Sequence, residues 1–337
     1  RGLGGEILSF FTGPVVSVSE INAATAFVTL AGGFAFYAFL LRNLSLQVSG
    51  YLVLILALNS FAFASFVGNT GYLDGLLLAL CVIALSSDGR RVSGLVLRVS
   101  AVLIGVLLHE NMLPYFTVLI GFDLWLCHRG GRFALPIALS PILVGGVVLG
   151  LLTVAGGLSP DLAAEYAQHI QTRAGFAVDP TSTEVAGRSI ADNFVLMEEL
   201  RKTTKYWAWV LFDGVPLLAM SIWVLWLCMR VMGPDAERVT RLFLFGAILA
   251  PISLNLVAFD VVRFGAASVL SGFLILVLLM RHLPLAKERL AQNLGWPLFT
   301  LVLVLNANIF TIEVNEGAGH MSQLPWVLLT HLQWLTP

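Results

Sequence analysis

The chain has 337 residues, of which 58% are hydrophobic and only 12% are Asp, Glu, Lys or Arg, and its mean hydropathy is +0.88. A soluble domain carries about a quarter charged residues, and no soluble interior could bury so much apolar surface, so lipid must solvate much of it. The net charge of −1 leaves no bulk electrostatic case for a nucleic-acid partner.

The apolar runs are rich in Leu, Val and Ala and do not alternate strictly, which favours helices over barrel strands. They predict an all-α, polytopic transmembrane helical bundle, a single membrane domain over 1–337 with about ten spanning or half-spanning helices. In chain order these cover 21–41, 51–66, 72–85, 95–108, 112–127, 134–155, 206–229, 242–259, 264–280 and 295–312. The runs 72–85, 95–108 and 112–127 fall short of the ~20 residues that cross a bilayer core. Short broken helices are tolerated only where protein or a watery cavity covers their ends, so an internal cavity is expected.

Segment 156–205 is predicted to be one ordered loop. Ser159-Pro160-Asp161 reads as a helix start, with Leu162, Tyr166, His169 and Arg173 at helical spacing and Gly175 as a stop. A second helix from Ser189 carries Ile190, Phe194 and Met197 on one face and runs into Arg201-Lys202-Thr203-Thr204-Lys205. Both are expected to lie on the membrane surface, with Trp207 and Trp209 in the aromatic belt. The chain opens at Arg1 rather than Met, so preceding residues, including a first span, are expected.

Orientation follows from the basic residues. One set of connections holds Arg42, Arg90, Arg91, Arg98, Arg129, Arg132, Arg230, Arg238, Arg241, Arg281, Lys287 and Arg289, mostly in short loops. These are expected to be cytoplasmic, which puts 1–20, 156–205 and the tail after Thr311 outside. Cys81, Cys127 and Cys228 show no pairing or zinc spacing and read as small buried hydrophobes.

The polar residues then cluster on the outer side. A charge at the bilayer centre costs about 2.5–3.5 kcal/mol on insertion scales, so each such group needs a partner or a function. His109-Glu110-Asn111 interrupts an apolar stretch between two short helices. It reads as a general base with its imidazole, as a ligand for a divalent ion or phosphate, or as a cap for both helices at a wet interface. Asn69, Tyr72 and Asp74 lie at the outer start of the third span, where Asp74 also suits the helix dipole. Asp260 and Arg263 are helical neighbours, either a structural ion pair or a site where Arg263 grips phosphate at headgroup level. Glu6 and Glu20 precede the first predicted span. Arg98 and Asp123 read as snorkelling or packing residues near inner span ends. No residue is assigned as a metal ligand, and a divalent cation is left as the one open cofactor.

The stretch Ala62-Phe63-Ala64-Ser65-Phe66-Val67-Gly68-Asn69-Thr70-Gly71-Tyr72-Leu73-Asp74-Gly75, followed by an apolar span and a short basic loop, resembles the layout of polyprenyl-phosphate-dependent GT-C glycosyltransferases and similar bacterial glycan polymerases. The resemblance covers roughly residues 1–130 as layout, without a diagnostic signature. It implies a multi-pass protein of the bacterial inner membrane that transfers sugar at the outer face, resting on an acidic residue of the first outer loop. Segment 1–20 departs from that pattern in holding only Glu6 and Glu20, with no acidic pair. The partners expected are a polyprenyl-linked sugar donor, a glycan acceptor, membrane lipids and envelope-assembly proteins. Glu110, His109 and Asp74 are the catalytic candidates, and Arg263, Asn111, Asn69, Tyr72, Arg201 and Lys202 the substrate-binding ones. A secondary transporter or lipid flippase, and a non-catalytic subunit of a membrane complex, are the rival readings.

Overall fold

The computed structural model describes residues 17–44, 52–53, 55–57, 62, 73–155, 160–173, 190–256, 258 and 260–294. The described residues are helical throughout, without strands. The helices are α1 (Val18–Asn43), α2 (Asp74–Ser86), α3 (Val92–Leu108), α4 (Val118–His128), α5 (Ala134–Ala155) and α6 (Pro160–Arg173), then α7 (Ile190–Arg201), α8 (Thr204–Trp209), α9 (Val215–Met232), α10 (Arg238–Ser253), α11 (Val261–His282) and α12 (Ala286–Asn293). A π turn, Leu113–Thr117, leads into α4, and a second, Val210–Gly214, leads into α9.

Among the described residues, five helical segments are long and apolar enough to cross a membrane: Ala26–Asn43, Ala134–Val154, Val215–Met232, Arg238–Leu256 and Val261–His282. The protein is thus an α-helical membrane protein, with five such spans among the described residues rather than the full set of about ten spanning or half-spanning helices expected. Asp74–Ser86, Val92–Leu108 and Leu113–His128 are apolar but too short to cross by themselves. The expected spans 51–66, for the most part, and 295–312 lie outside the described residues, as do Asn69, Tyr72 and Glu6.

Helix α11 is the spine. It is apolar on nearly every face and is buried from Arg263 to Met280, as an all-round hydrophobic helix must be. It packs against α9 and α10 and also touches α1 and α4. Small residues allow the close approach: a Cβ on Gly272 would sit 2.4 Å from Val224 Cγ1, and one on Gly265 would sit 2.7 Å from Leu217 Cβ. Polar side chains stitch α11 to α10 and to the π turn before α4, and α4 to α10. Ser268 donates to the Ile248 carbonyl at 2.6 Å, Ser271 to the Tyr115 carbonyl at 3.1 Å, and Trp125 Nε1 to Thr240 Oγ1 at 2.8 Å.

Helices α1 and α2 meet backbone to backbone, since a Cβ on Gly32 would lie 2.3 Å from the Gly75 carbonyl oxygen. The outward faces are apolar too. Phe27, Leu30 and Phe34 on α1, and Leu143, Val147, Leu151 and Val154 on α5, recur at helical spacing and are all exposed, the pattern of a lipid-facing stripe. Eleven basic side chains besides Arg98 gather at one end of the bundle, at the α1 terminus and the α2–α3, α4–α5, α9–α10 and α11–α12 junctions. That end is called arginine-rich below.

Candidate functional site

At the end opposite the arginine-rich one, α3 stops at His109, whose backbone N–H still bonds the Gly105 carbonyl at 2.9 Å. A turn follows, closed by Met112 N–H to the His109 carbonyl and Leu113 N–H to the Glu110 carbonyl. Pro114 lies within the π turn that comes next, and Thr117 Oγ1 donates to the Met112 carbonyl at 3.1 Å. Such a turn re-aims the backbone and is common at functional sites.

Within the turn, the Asn111 N–H donates to His109 Nδ1 at 3.2 Å, so in the neutral ring Nδ1 is the acceptor and the proton sits on Nε2. Glu110 Oε2 lies 3.6 Å from the same nitrogen, too far for a hydrogen bond and facing a lone pair unless the ring is protonated. The Glu110 side chain is 58% exposed, His109 23%. Glu110 is therefore reachable by a ligand and is not tied down as a cap.

Asn111 Nδ2 reaches Tyr115 Oη at 3.3 Å. Tyr115 is fully buried, its ring set edge-on to Phe264. It lies in electrostatic range of Asp74, Arg263 and Asp260. Those three form one cluster, with Asp74 and Arg263 buried and Asp260 partly buried. Arg263 Nε and Nη2 grip the two Asp74 oxygens at 2.7 and 3.1 Å, and Nη1 meets Asp260 Oδ2 at 2.9 Å. Asp260 also caps α11, its Oδ1 accepting from the Arg263 N–H at 3.2 Å. Burial raises the Asp260 carboxyl above its ordinary value, and the Arg263 charge and hydrogen bonds oppose the rise.

The turn and the cluster are thus neighbours through Asn111 and Tyr115. They join α2, α3, the α4 entry and α11. Arg263 faces two carboxylates rather than an open surface, so a phosphate at this point would have to displace one of them. Of the other expected binding residues, Arg201 points Nη2 at the Asn255 and Leu256 carbonyls and ties α7 to the end of α10. Lys202 pairs with Glu199 at 2.7 Å on the surface. Glu20 completes a capping box with Ser17 at the start of α1, which gives that carboxylate a structural role.

The arginine-rich end holds a second buried cluster, and of the two readings of Arg98 and Asp123, snorkelling or packing, the snorkelling one is corrected. Both are fully buried and paired. Arg98 uses every donor: Nε and Nη2 on Asp123 Oδ2, Nη2 also on the Ser87 carbonyl, and Nη1 on Ser87 Oγ and the Gly94 carbonyl. His282 Nε2 lies 3.0 Å from Asp123 Oδ1. Arg98 and Asp123 are 25 residues apart, so no local pattern announces the pair. Asp74 and Arg263 are 189 apart.

Two small cavities of about 150 Å³ lie at this end, one bordered by Arg129, Asp235 and Glu237, the other by Arg42, Ser86 and Arg281. Neither reaches His109, Glu110, Asp74 or Arg263, so the chamber expected beside the broken helices is not one of them.

Compared with protein families, with curated proteins and with solved structures, the chain matches none.

Proposed function

We propose that the protein is a membrane glycosyltransferase or glycan polymerase acting on a lipid-linked sugar at the end bearing His109 and Glu110. The observation that carries this reading is the accessible Glu110 carboxylate beside an imidazole, on a turn braced from below by Asn111, Tyr115 and the Asp74–Arg263–Asp260 cluster. In this reading the acceptor hydroxyl attacks the anomeric carbon of the donor. The anomeric carbon–oxygen bond to phosphate breaks, and the lipid phosphate or pyrophosphate leaves with the electron pair. The hydroxyl proton passes to Glu110. Phosphate is a good leaving group, so the protein must supply mainly position and one base. Asp74, Arg263 and Asp260 then act as a rigid floor rather than as reacting groups. The positive-inside rule puts the arginine-rich end in the cytoplasm of a bacterial cell and this site at the outer face.

The test is Glu110→Gln in purified protein with saturating lipid-linked donor. Turnover is expected to fall ~10²-fold or more with folding intact, as for loss of a general base. Wild-type turnover in that variant removes Glu110 from the mechanism.

One observation favours a secondary transporter or lipid flippase instead. Buried ionic clusters close both ends of the bundle around the same helix, α11, as a pair of gates would. Substrate movement across sealed proteoliposomes without any transfer product would select that reading.

A further inference from the structure

The arginine-rich end holds three side chains that the proposed chemistry does not use. Asp123 and Cys127 stand one turn apart on the same face of α4, and His282 is the last residue of α11. Asp123 Oδ1, Cys127 Sγ and His282 Nε2 all lie within 4.8 Å of one another. His282 Nε2 is 3.0 Å from Asp123 Oδ1 and 3.9 Å from Cys127 Sγ.

We propose that these three residues bind one thiophilic divalent cation, of the zinc class, between α4 and α11. With bonds of about 2.0–2.3 Å, a tetrahedral zinc ion sets its ligand atoms roughly 3.3–3.8 Å apart. The Cys127–His282 separation of 3.9 Å has to close by about a tenth of an ångström or more. The Asp123–His282 contact has to open by a few tenths of an ångström as the imidazole turns a lone pair to the ion.

Two further features fit this use. Arg98 engages only Asp123 Oδ2, which leaves Oδ1 for the ion and fixes the carboxylate from behind, as outer-shell partners of metal ligands do. Gly89 keeps room for the thiol: a Cβ there would sit 2.8 Å from Cys127 Sγ and 3.2 Å from the Arg98 guanidinium carbon. An Arg98–Asp123–His282 lock alone would use the space at Gly89 for the guanidinium but has no need of the thiol. Cys127 and His282 are both partly open to the end of the bundle, which supplies an entry path and a fourth, exchangeable position. Cys81 and Cys228 are fully buried; Cys81 lies in electrostatic range of Asp123, but neither thiol belongs to the group of ligand atoms, and both fit their expected role as small core residues. If this end faces a reducing cytoplasm, the thiol stays available, and binding releases its proton.

The experiment is titration of purified, reduced, metal-free full-length protein in detergent with Cd²⁺, followed by ultraviolet thiolate-to-cadmium charge transfer. The expected result is one band saturating at a single ion per chain, competed by Zn²⁺ but not by Mg²⁺, since thiolate selects the softer ions. The band is lost in Cys127→Ser and kept in Cys81→Ser and Cys228→Ser. No saturable band in the wild type, or a band that survives in Cys127→Ser, overturns the site. Should Cys127→Ser fail to fold, maleimide alkylation of Cys127 in the wild type decides. Zn²⁺ is expected to slow it, more so than in His282→Gln, and an alkylation rate indifferent to Zn²⁺ also overturns the proposal.

Discussion

Replacing Arg98 by Met tests whether the dry ion pair at the arginine-rich end holds the bundle together. Met keeps the length and apolar bulk of the side chain, so the change isolates the guanidinium. The wild-type group makes five hydrogen bonds, two of them to Asp123, which has no exposed surface. Without it, Asp123 keeps His282 as its partner among the described residues, and the Ser87 hydroxyl and the Ser87 and Gly94 carbonyls each lose one donor. Removing one member of a buried pair costs about 3–5 kcal/mol, roughly a hundred- to several-thousand-fold in the folding equilibrium. Replacing both members, as Arg98→Met with Asp123→Leu, is expected to recover most of that loss, because two well-packed apolar side chains need no desolvation. The assay is unfolding in mixed detergent micelles, followed by helical circular dichroism, for both single variants and the double. A loss below about 1 kcal/mol in Arg98→Met, the range of a solvated surface pair, would mean that the guanidinium reaches water after all. Simple addition of the two single losses would likewise refute a coupled pair.

Three other outcomes follow from the same contacts. Arg263→Ala is expected to destabilise the fold, with rescue by Asp74→Asn and Asp260→Asn together but not by Asp260→Asn alone, because Asp74 takes two of the three ionic hydrogen bonds; the same unfolding assay checks it. Gly272→Ala forces a Cβ to 2.4 Å from Val224 and should cost about 1–3 kcal/mol, whereas Gly146→Ala, with nothing within 4 Å, should gain up to about 1 kcal/mol of helix propensity. The Ser17 backbone N–H, then the Ser17 hydroxyl, hold the Glu20 carboxyl below the ordinary glutamate range. A depressed carboxylate stabilises the fold above its unfolded value and loses that stabilisation as pH falls through its folded one, so hydrogen exchange in the first turn of α1 should speed up only on the acid side of that range. Ser17→Ala should flatten this pH dependence.

What could be read in advance was what is periodic or local. Apolar runs marked most helices to within a few residues, and Pro160 did start a helix as its N-cap context implied. Asp260 and Arg263 were legible as a pair because three residues of helix bring them together. Their third partner was not, because Asp74 reaches Arg263 only when α2 packs beside α11. Arg98 and Asp123 misled for a related reason. Each lies near the end of an apolar run, where a lone charge usually snorkels, and only the α3–α4–α11 packing turns them inward toward each other. The spacing of Asp123 and Cys127 was a usable signal, but with His282 more than a hundred residues away it carried no weight by itself.

The two clusters bear on function together, because α11 carries a member of each. At 1.5 Å per residue, roughly 28 Å of helix separates Arg263 from His282. A helix buried from Arg263 to Met280, held by the Asp74–Arg263–Asp260 ion pairs at one end and by the His282–Asp123 contact at the other, does not slide without breaking one of these links. Breaking a buried pair costs several kcal/mol unless the freed groups find new partners. Alternating access needs such partners at each end in turn. Arg263 has one ready set, Asp74 and Asp260, and Arg98 has all five donors filled where it stands. An enzyme needs no such exchange. It needs a floor that stays still while an accessible carboxylate meets its substrate, and the stretch from Arg263 through Tyr115 and Asn111 to Glu110 supplies that order of rigidity, buried at the bottom and open at the top. On this ground the transfer reading is preferred over the transport one.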